Sequence, residues 1–106
     1  MIMKQVDGVL IKEEICVHTF LIEMLSEELE DAENYHKHAR HAKHQGDQQL
    51  ANLFLQHAKD ELRHFEAIME TIEKTIPNVK SNPLFPLLKD LEEWADDIEE
   101  AINLVR

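Results

Sequence analysis

The stretch Leu50-Ala51-Asn52-Leu53-Phe54-Leu55-Gln56-His57-Ala58-Lys59-Asp60-Glu61-Leu62-Arg63-His64-Phe65-Glu66-Ala67-Ile68-Met69 decides the fold. Two rows run through it. Leu50, Phe54, His57, Glu61, His64 and Ile68 form one, in alternating steps of four and three; Ala51, Leu55, Ala58, Leu62, Phe65 and Met69 form the other, which continues to Ile72 and Ile76. Such spacing keeps a row on one side of an α-helix. Upstream, Gln45-Gly46-Asp47 breaks the pattern: Gly46 is suited to end a helix in the left-handed conformation, and Asp47 to cap the next one. Before that break lies a second seam of Leu21, Leu25, Glu28, Ala32, Tyr35, Ala39 and Ala42, widened by Phe20, Met24 and Leu29. Downstream, Pro77, Pro83 and Pro86 interrupt any continuous helix. Beyond them Leu87, Leu88, Leu91, Trp94, Ala95, Ile98, Ala101, Ile102 and Val105 share one face. These signals predict helices over residues 11–45, 48–75 and 87–104, with a turn at Asp7-Gly8. The expected fold is all-α, an antiparallel helical hairpin plus a C-terminal helix, in one domain spanning residues 1–106.

A chain of this length buries only about 60–70% of the surface its unfolded form exposes. It therefore gains by packing against a copy of itself, and two hairpins so paired make a four-helix bundle. There are 22 acidic residues against 11 Lys plus Arg, a formal net charge of −11. That balance repels phosphate backbones and anionic membranes, so neither nucleic acid nor membrane is an expected partner, whereas cations are. Cys16 is the single cysteine, so the fold does not depend on an oxidising compartment. No apolar run approaches the roughly 18 residues of a membrane span. Lys4, Asp7, Lys12 and Glu13 interrupt the N-terminal stretch in a way unlike a signal-peptide core. A soluble cytoplasmic protein is the expectation.

Two carboxylates occupy seam positions where leucines belong. Glu28 follows Leu25 and precedes Ala32; Glu61 lies among Phe54, Leu62, Phe65 and Ile68, with His64 three residues on. An unpaired carboxylate removed from water costs several kcal/mol, so such residues must be neutralised, paired or bound to a cation. The Glu-x-x-His spacing alone says little, because Glu33 and His36 share it; those two are expected on the solvent side. Two paired hairpins would bring together four carboxylates and two imidazoles, the ligand set of di-iron or di-manganese carboxylate centres in helical bundles. Four negative charges would then balance two divalent cations. The donors suit iron, manganese or zinc and do not choose among them.

Glu28 with Tyr35 seven residues later, then Glu61-Leu62-Arg63-His64, resembles half of a ferritin-like subunit. Glu27-Glu28-Leu29-Glu30 with Tyr35, and Asp60-Glu61-Leu62-Arg63-His64-Phe65-Glu66 later in so short a chain, is similar to the encapsulated-ferritin type, in which two short subunits build one bundle. The resemblance implies a ferroxidase centre at a subunit interface. Glu28, Glu61 and His64 would be its iron ligands, Tyr35 would lie near the metals, and Glu27 and Glu30 would flank the approach route for iron. It further implies two irons per subunit pair, a homodimer or a ring of dimers, and oxidation of Fe(II) to Fe(III) for storage or detoxification. Residence in an encapsulin shell, a protein nanocompartment, is also implied. Against that shell, Glu99 to Arg106 stays helix-compatible without a Gly-rich cargo tail; Asn34 also stands where an aromatic is usual.

Two other readings fit the same residues. A rubrerythrin-like di-metal peroxide reductase would use the same bundle, although the paired cysteines of a rubredoxin-type iron site are lacking. A non-enzymatic helical interaction protein would use its buried polar residues to fix register, and Glu61→Leu would stabilise it. Among the remaining residues, His57 is expected as a core histidine bonded to a backbone carbonyl, with an accessory ligand role as the alternative. His36, His38, His41 and His44 are expected to form a solvated cluster favoured by the helix's negative end. Trp94 is expected to anchor the third helix against another subunit, and Cys16 to lie in the core. Of the acidic runs, Glu27, Glu30 and Asp31 would gather cations if the resemblance holds.

Overall fold

The computed structural model describes the backbone of residues 7–76 and 78–105, and the side chains of residues 19–76 and 78–105. Three α-helices follow one another, α1 (Asp7–His44), α2 (Gln48–Thr75) and α3 (Phe85–Val105), with a short 3-10 turn, Val79–Ser81, before α3. Two helix starts differ from the sequence reading. Asp7 and Gly8 belong to α1 rather than to a turn; a helical glycine costs only about 1 kcal/mol relative to alanine, which a long helical run outweighs. Pro86 lies inside α3, in its first turn, where the missing N–H has no helical acceptor to lose. Cys16 lies outside the residues whose side chains are described.

The link between α1 and α2 is built as the sequence suggests. Gly46 has φ +81°. The Gly46 N–H donates to the Lys43 carbonyl at 3.0 Å and the Asp47 N–H to the Ala42 carbonyl at 2.9 Å, the two bonds of a Schellman C-cap. Asp47 Oδ1 then accepts from the Leu50 N–H at 3.0 Å and starts α2. The chain reverses within three residues, and α2 returns antiparallel to α1. At the other end Asn78, in the left-handed conformation (φ 53°), follows α2, and α3 runs back along α1. Lys43 Nζ donates to the Val105 carbonyl at 2.6 Å, which pins the C-terminal end of α3 to that of α1.

The core fills the seam of the hairpin and the face of α3. Leu25, Leu29, Ala32 and Ala39 of α1 are fully buried, together with Ala51, Leu55, Ala58, Leu62, Phe65, Met69 and Ile72 of α2. The alanines let the two backbones approach, and each buried large side chain contributes about 1.5–3 kcal/mol. On α3, Leu88, Leu91, Ile98, Ile102 and Val105 close this core from one side. Trp94 is half-buried against the chain's own core. The α2 row expected as its seam lies instead on the shoulder: Leu50 is 39% exposed, Phe54 and Ile68 are half-buried, and His57 and His64 face solvent. α3 covers the other side of the hairpin, so this shoulder stays open in a body only 17 Å thick. No helix among the described residues is long and apolar enough to cross a membrane.

His36 departs from the expected solvated cluster. It is 7% exposed and its Nδ1 has no hydrogen-bond partner, whereas His38, His41 and His44 are exposed. It lies between the buried Ala32 and Ala39 and two turns before Lys43. Burial holds its pKa below the ordinary histidine value, and the charge of Arg40 adds to the effect. The folded chain thus binds this proton less readily than the unfolded chain. The resulting stability is fully present above about pH 6.5 and is lost as pH falls through the lowered folded value. His36→Leu should flatten this decline, seen as a smaller drop in melting temperature between about pH 7 and pH 5 than in the wild type. Parallel curves would contradict the assignment. Gly46→Ala, with open space around the new Cβ but the wrong backbone sign, should cost about 1 kcal/mol by denaturant unfolding.

Candidate metal centre

The antiparallel return about Gly46 brings residues equidistant from it face to face. Glu28 and His64 each lie 18 residues from Gly46, and His64 Nδ1 stands 3.2 Å from Glu28 Oε2. Glu61 presents its carboxylate one helical turn away on α2, its Oε1 3.0 Å from the same nitrogen. One oxygen or nitrogen atom from each of Glu28, Glu61 and His64 lies within 4.8 Å of the other two. α1 supplies the first and α2 the other two, all on the open shoulder. Their side chains are 24%, 18% and 61% exposed, so the carboxylates sit in the groove and the imidazole at its lip.

Charge in this groove is one-sided. Arg63, beside the cluster in sequence, is paired with Asp60, so among the described residues Glu28 and Glu61 have only His64 opposite them. Burial raises the Glu61 pKa above the ordinary carboxyl value, and the neighbouring Glu28 and Asp31 carboxyls raise it further. Two carboxylates and an imidazole facing one point, with no lysine or arginine paired to them among the described residues, fit a divalent cation of the first transition row by charge and by donor type.

The other singled-out residues fall around this trio. Tyr35 and His57, each 11 residues from Gly46, stack with ring centroids 5.1 Å apart. His57 is thus exposed at the side of Tyr35, not a core histidine. Phe54 lies 6.3 Å from Tyr35 and 5.5 Å from His38. The His38 Nδ1–H donates to the Asn34 carbonyl at 2.6 Å. Glu27 and Glu30 are exposed on α1 and stand outside the cluster; Glu33 is half-buried and also outside it. Asp31 is exposed on α1, in the register that pairs Glu28 with His64 and Tyr35 with His57, and that register sets it opposite Glu61. Equal distance from Gly46, 15 residues each, was the available signal.

A family model described as a ferritin-like domain matches residues 19–106, which takes in both halves of the hairpin, the cluster and α3. The chain belongs to the ferritin-like domain family. Neither a curated protein nor a solved structure matches it. In this ferritin-like chain the possible ligand group is therefore split over two helices of one hairpin.

The raised Glu61 pKa has a definite sign. Folded protein holds that proton more tightly than unfolded protein, so the associated stability is fully present below about pH 4.3 and is lost as pH rises through the raised value. Chelator-treated protein should lose melting temperature over that rise. Glu61→Gln, similar in shape but uncharged, should remove this component and melt higher than the wild type near pH 7; an unchanged pH profile would rule out the crowding of carboxylates.

Proposed function

We propose that the chain binds Fe(II) at Glu28, Glu61 and His64 and oxidises it to Fe(III), as one half of a di-iron carboxylate centre completed by a second copy. The observation that carries this reading is the convergence of those three side chains on the uncovered face of a ferritin-like hairpin. Three donors make half of the ligand set that helical bundles use for two metals. A second hairpin laid on the same face would supply the other half, and four carboxylates would then neutralise two divalent ions. The surface around the cluster supports such a lid. Phe20 is 60% exposed, and Leu50, Phe54, Tyr35 and Ile68 offer further apolar area on the same side.

The chemistry is electron loss from the iron substrate. Two Fe(II) each give up one electron, and dioxygen takes both with two protons to leave two Fe(III) and hydrogen peroxide; peroxide as the acceptor would yield water. Glu28 and Glu61 favour this direction because hard carboxylate oxygens stabilise the added positive charge of Fe(III). His64 adds a neutral donor that leaves the charge balance intact. Tyr35 and His57 are accessory side chains flanking the centre, and the exposed Glu27 and Glu30 lower the potential along the approach for incoming cations. Storage or detoxification then follows where the Fe(III) is collected, in an assembly larger than the pair.

Anaerobic titration of metal-free protein with Fe(II) tests this reading. About one tight iron per chain is expected, two per subunit pair, and Glu61→Ala or His64→Ala should abolish tight binding. Wild-type protein that takes up no tight iron would leave the cluster as a set of polar residues that fix helix register, and the chain as a helical interaction protein.

A further inference from the structure

Four pairs of residues face each other across the open shoulder, each pair equidistant from Gly46: His38 with Phe54, Tyr35 with His57, Asp31 with Glu61, and Glu28 with His64. The pairs on both sides of Asp31 and Glu61 are in contact, through the Tyr35–His57 stack at 5.1 Å and the His64–Glu28 approach at 3.2 Å. The ladder between them places Asp31 opposite Glu61, one helical turn from Glu28 and from Tyr35 on the same stripe of α1. Like charges held opposite each other across packed elements are unfavourable. The helix itself gains nothing from an aspartate there, since alanine or glutamine has the better propensity.

We propose that Asp31 is a positioning residue of the cation centre: from α1 it sets the Glu61 carboxylate and adds negative charge that favours a divalent cation held there. This rests on the reading of Glu28, Glu61 and His64 as cation ligands. In the absence of a cation, Asp31 and Glu61 repel; a cation held by Glu61 offsets that repulsion. Asp31 therefore acts in opposite directions on the two states, weakening the metal-free fold and strengthening cation binding. A side chain with only a packing role would move both the same way.

The test uses the full chain, Zn(II) as a redox-inert probe in calorimetric titration, and melting of the metal-free protein. Asp31→Asn should weaken Zn(II) binding by about 10-fold or more, the scale usual for residues that orient a ligand. Its metal-free form should melt at or above the wild-type temperature. Asp31→Glu, which restores the charge, should recover affinity to within about threefold of wild type. Glu23→Gln, which removes an exposed acid elsewhere on α1, should leave affinity unchanged and so separates a local effect from net charge. Wild-type affinity in Asp31→Asn would overturn the role of Asp31 while leaving the centre standing. Equal losses in Asp31→Asn and Asp31→Glu, each with a lower metal-free melting temperature, would overturn it as a packing effect. Failure of the wild type to bind Zn(II) would overturn the centre and this inference together.

Discussion

Two carboxylates, Glu28 and Glu61, are held on facing helices with a single imidazole opposite them, and the rest of the molecule is arranged around that crowding. In water they would separate. Here the helices are locked together by the core, so Glu61 is partly removed from water with Glu28 held beside it, and burial first, then the neighbouring charge, raise its pKa. A core of leucines and alanines on the inner side supplies the restraint, and partial exposure on the outer side keeps the cost tolerable. An apolar pair at these positions would give a more stable hairpin with nothing to bind. On the proposed reading, stability is exchanged here for affinity toward a divalent cation.

The alignment depends on the turn. Gly46 and Asp47 fix where α1 ends and where α2 begins, through the Schellman bonds and the Asp47 cap. From that fixed point the helices rise at the same rate per residue, so side chains equidistant from Gly46 meet. The contacts of Glu28 with His64, Tyr35 with His57, and Phe54 with His38 all follow this rule. One inserted residue in the turn would rotate one helix by about 100° against the other and disperse the cluster.

α3 settles the asymmetry of the hairpin. It lies along α1, bonded through Lys43 to the Val105 carbonyl, and buries one side of the α1–α2 seam. The opposite side, with the cluster and the exposed Leu50, stays uncovered among the described residues. A single ferritin-like chain therefore presents its polar groove outward, on the face where the proposed second copy would sit. On α1, His36 is a buried imidazole whose Nδ1 has no partner.

Much of this was written in the sequence. The 3–4 spacing, the Gly46-Asp47 signal, the proline-rich break and the placement of Glu28, Glu61 and His64 among apolar neighbours depend on local periodicity and turn chemistry, which act over a few residues and survive any tertiary context. What the sequence left open was which of two adjacent rows on α2 would be core and which would be shoulder. Both rows have helical spacing, one wholly apolar and the other half apolar, and the choice also depends on where α3 lands, and α3 is reached only after a proline-interrupted link. His36 and Asp31 were misplaced or left vague for the same reason. A residue's angle on its own helix is local information, but whether that angle points to solvent, to core or to an opposing carboxylate is decided by the packing of distant segments, whose energy is a sum over all the surface they bury together.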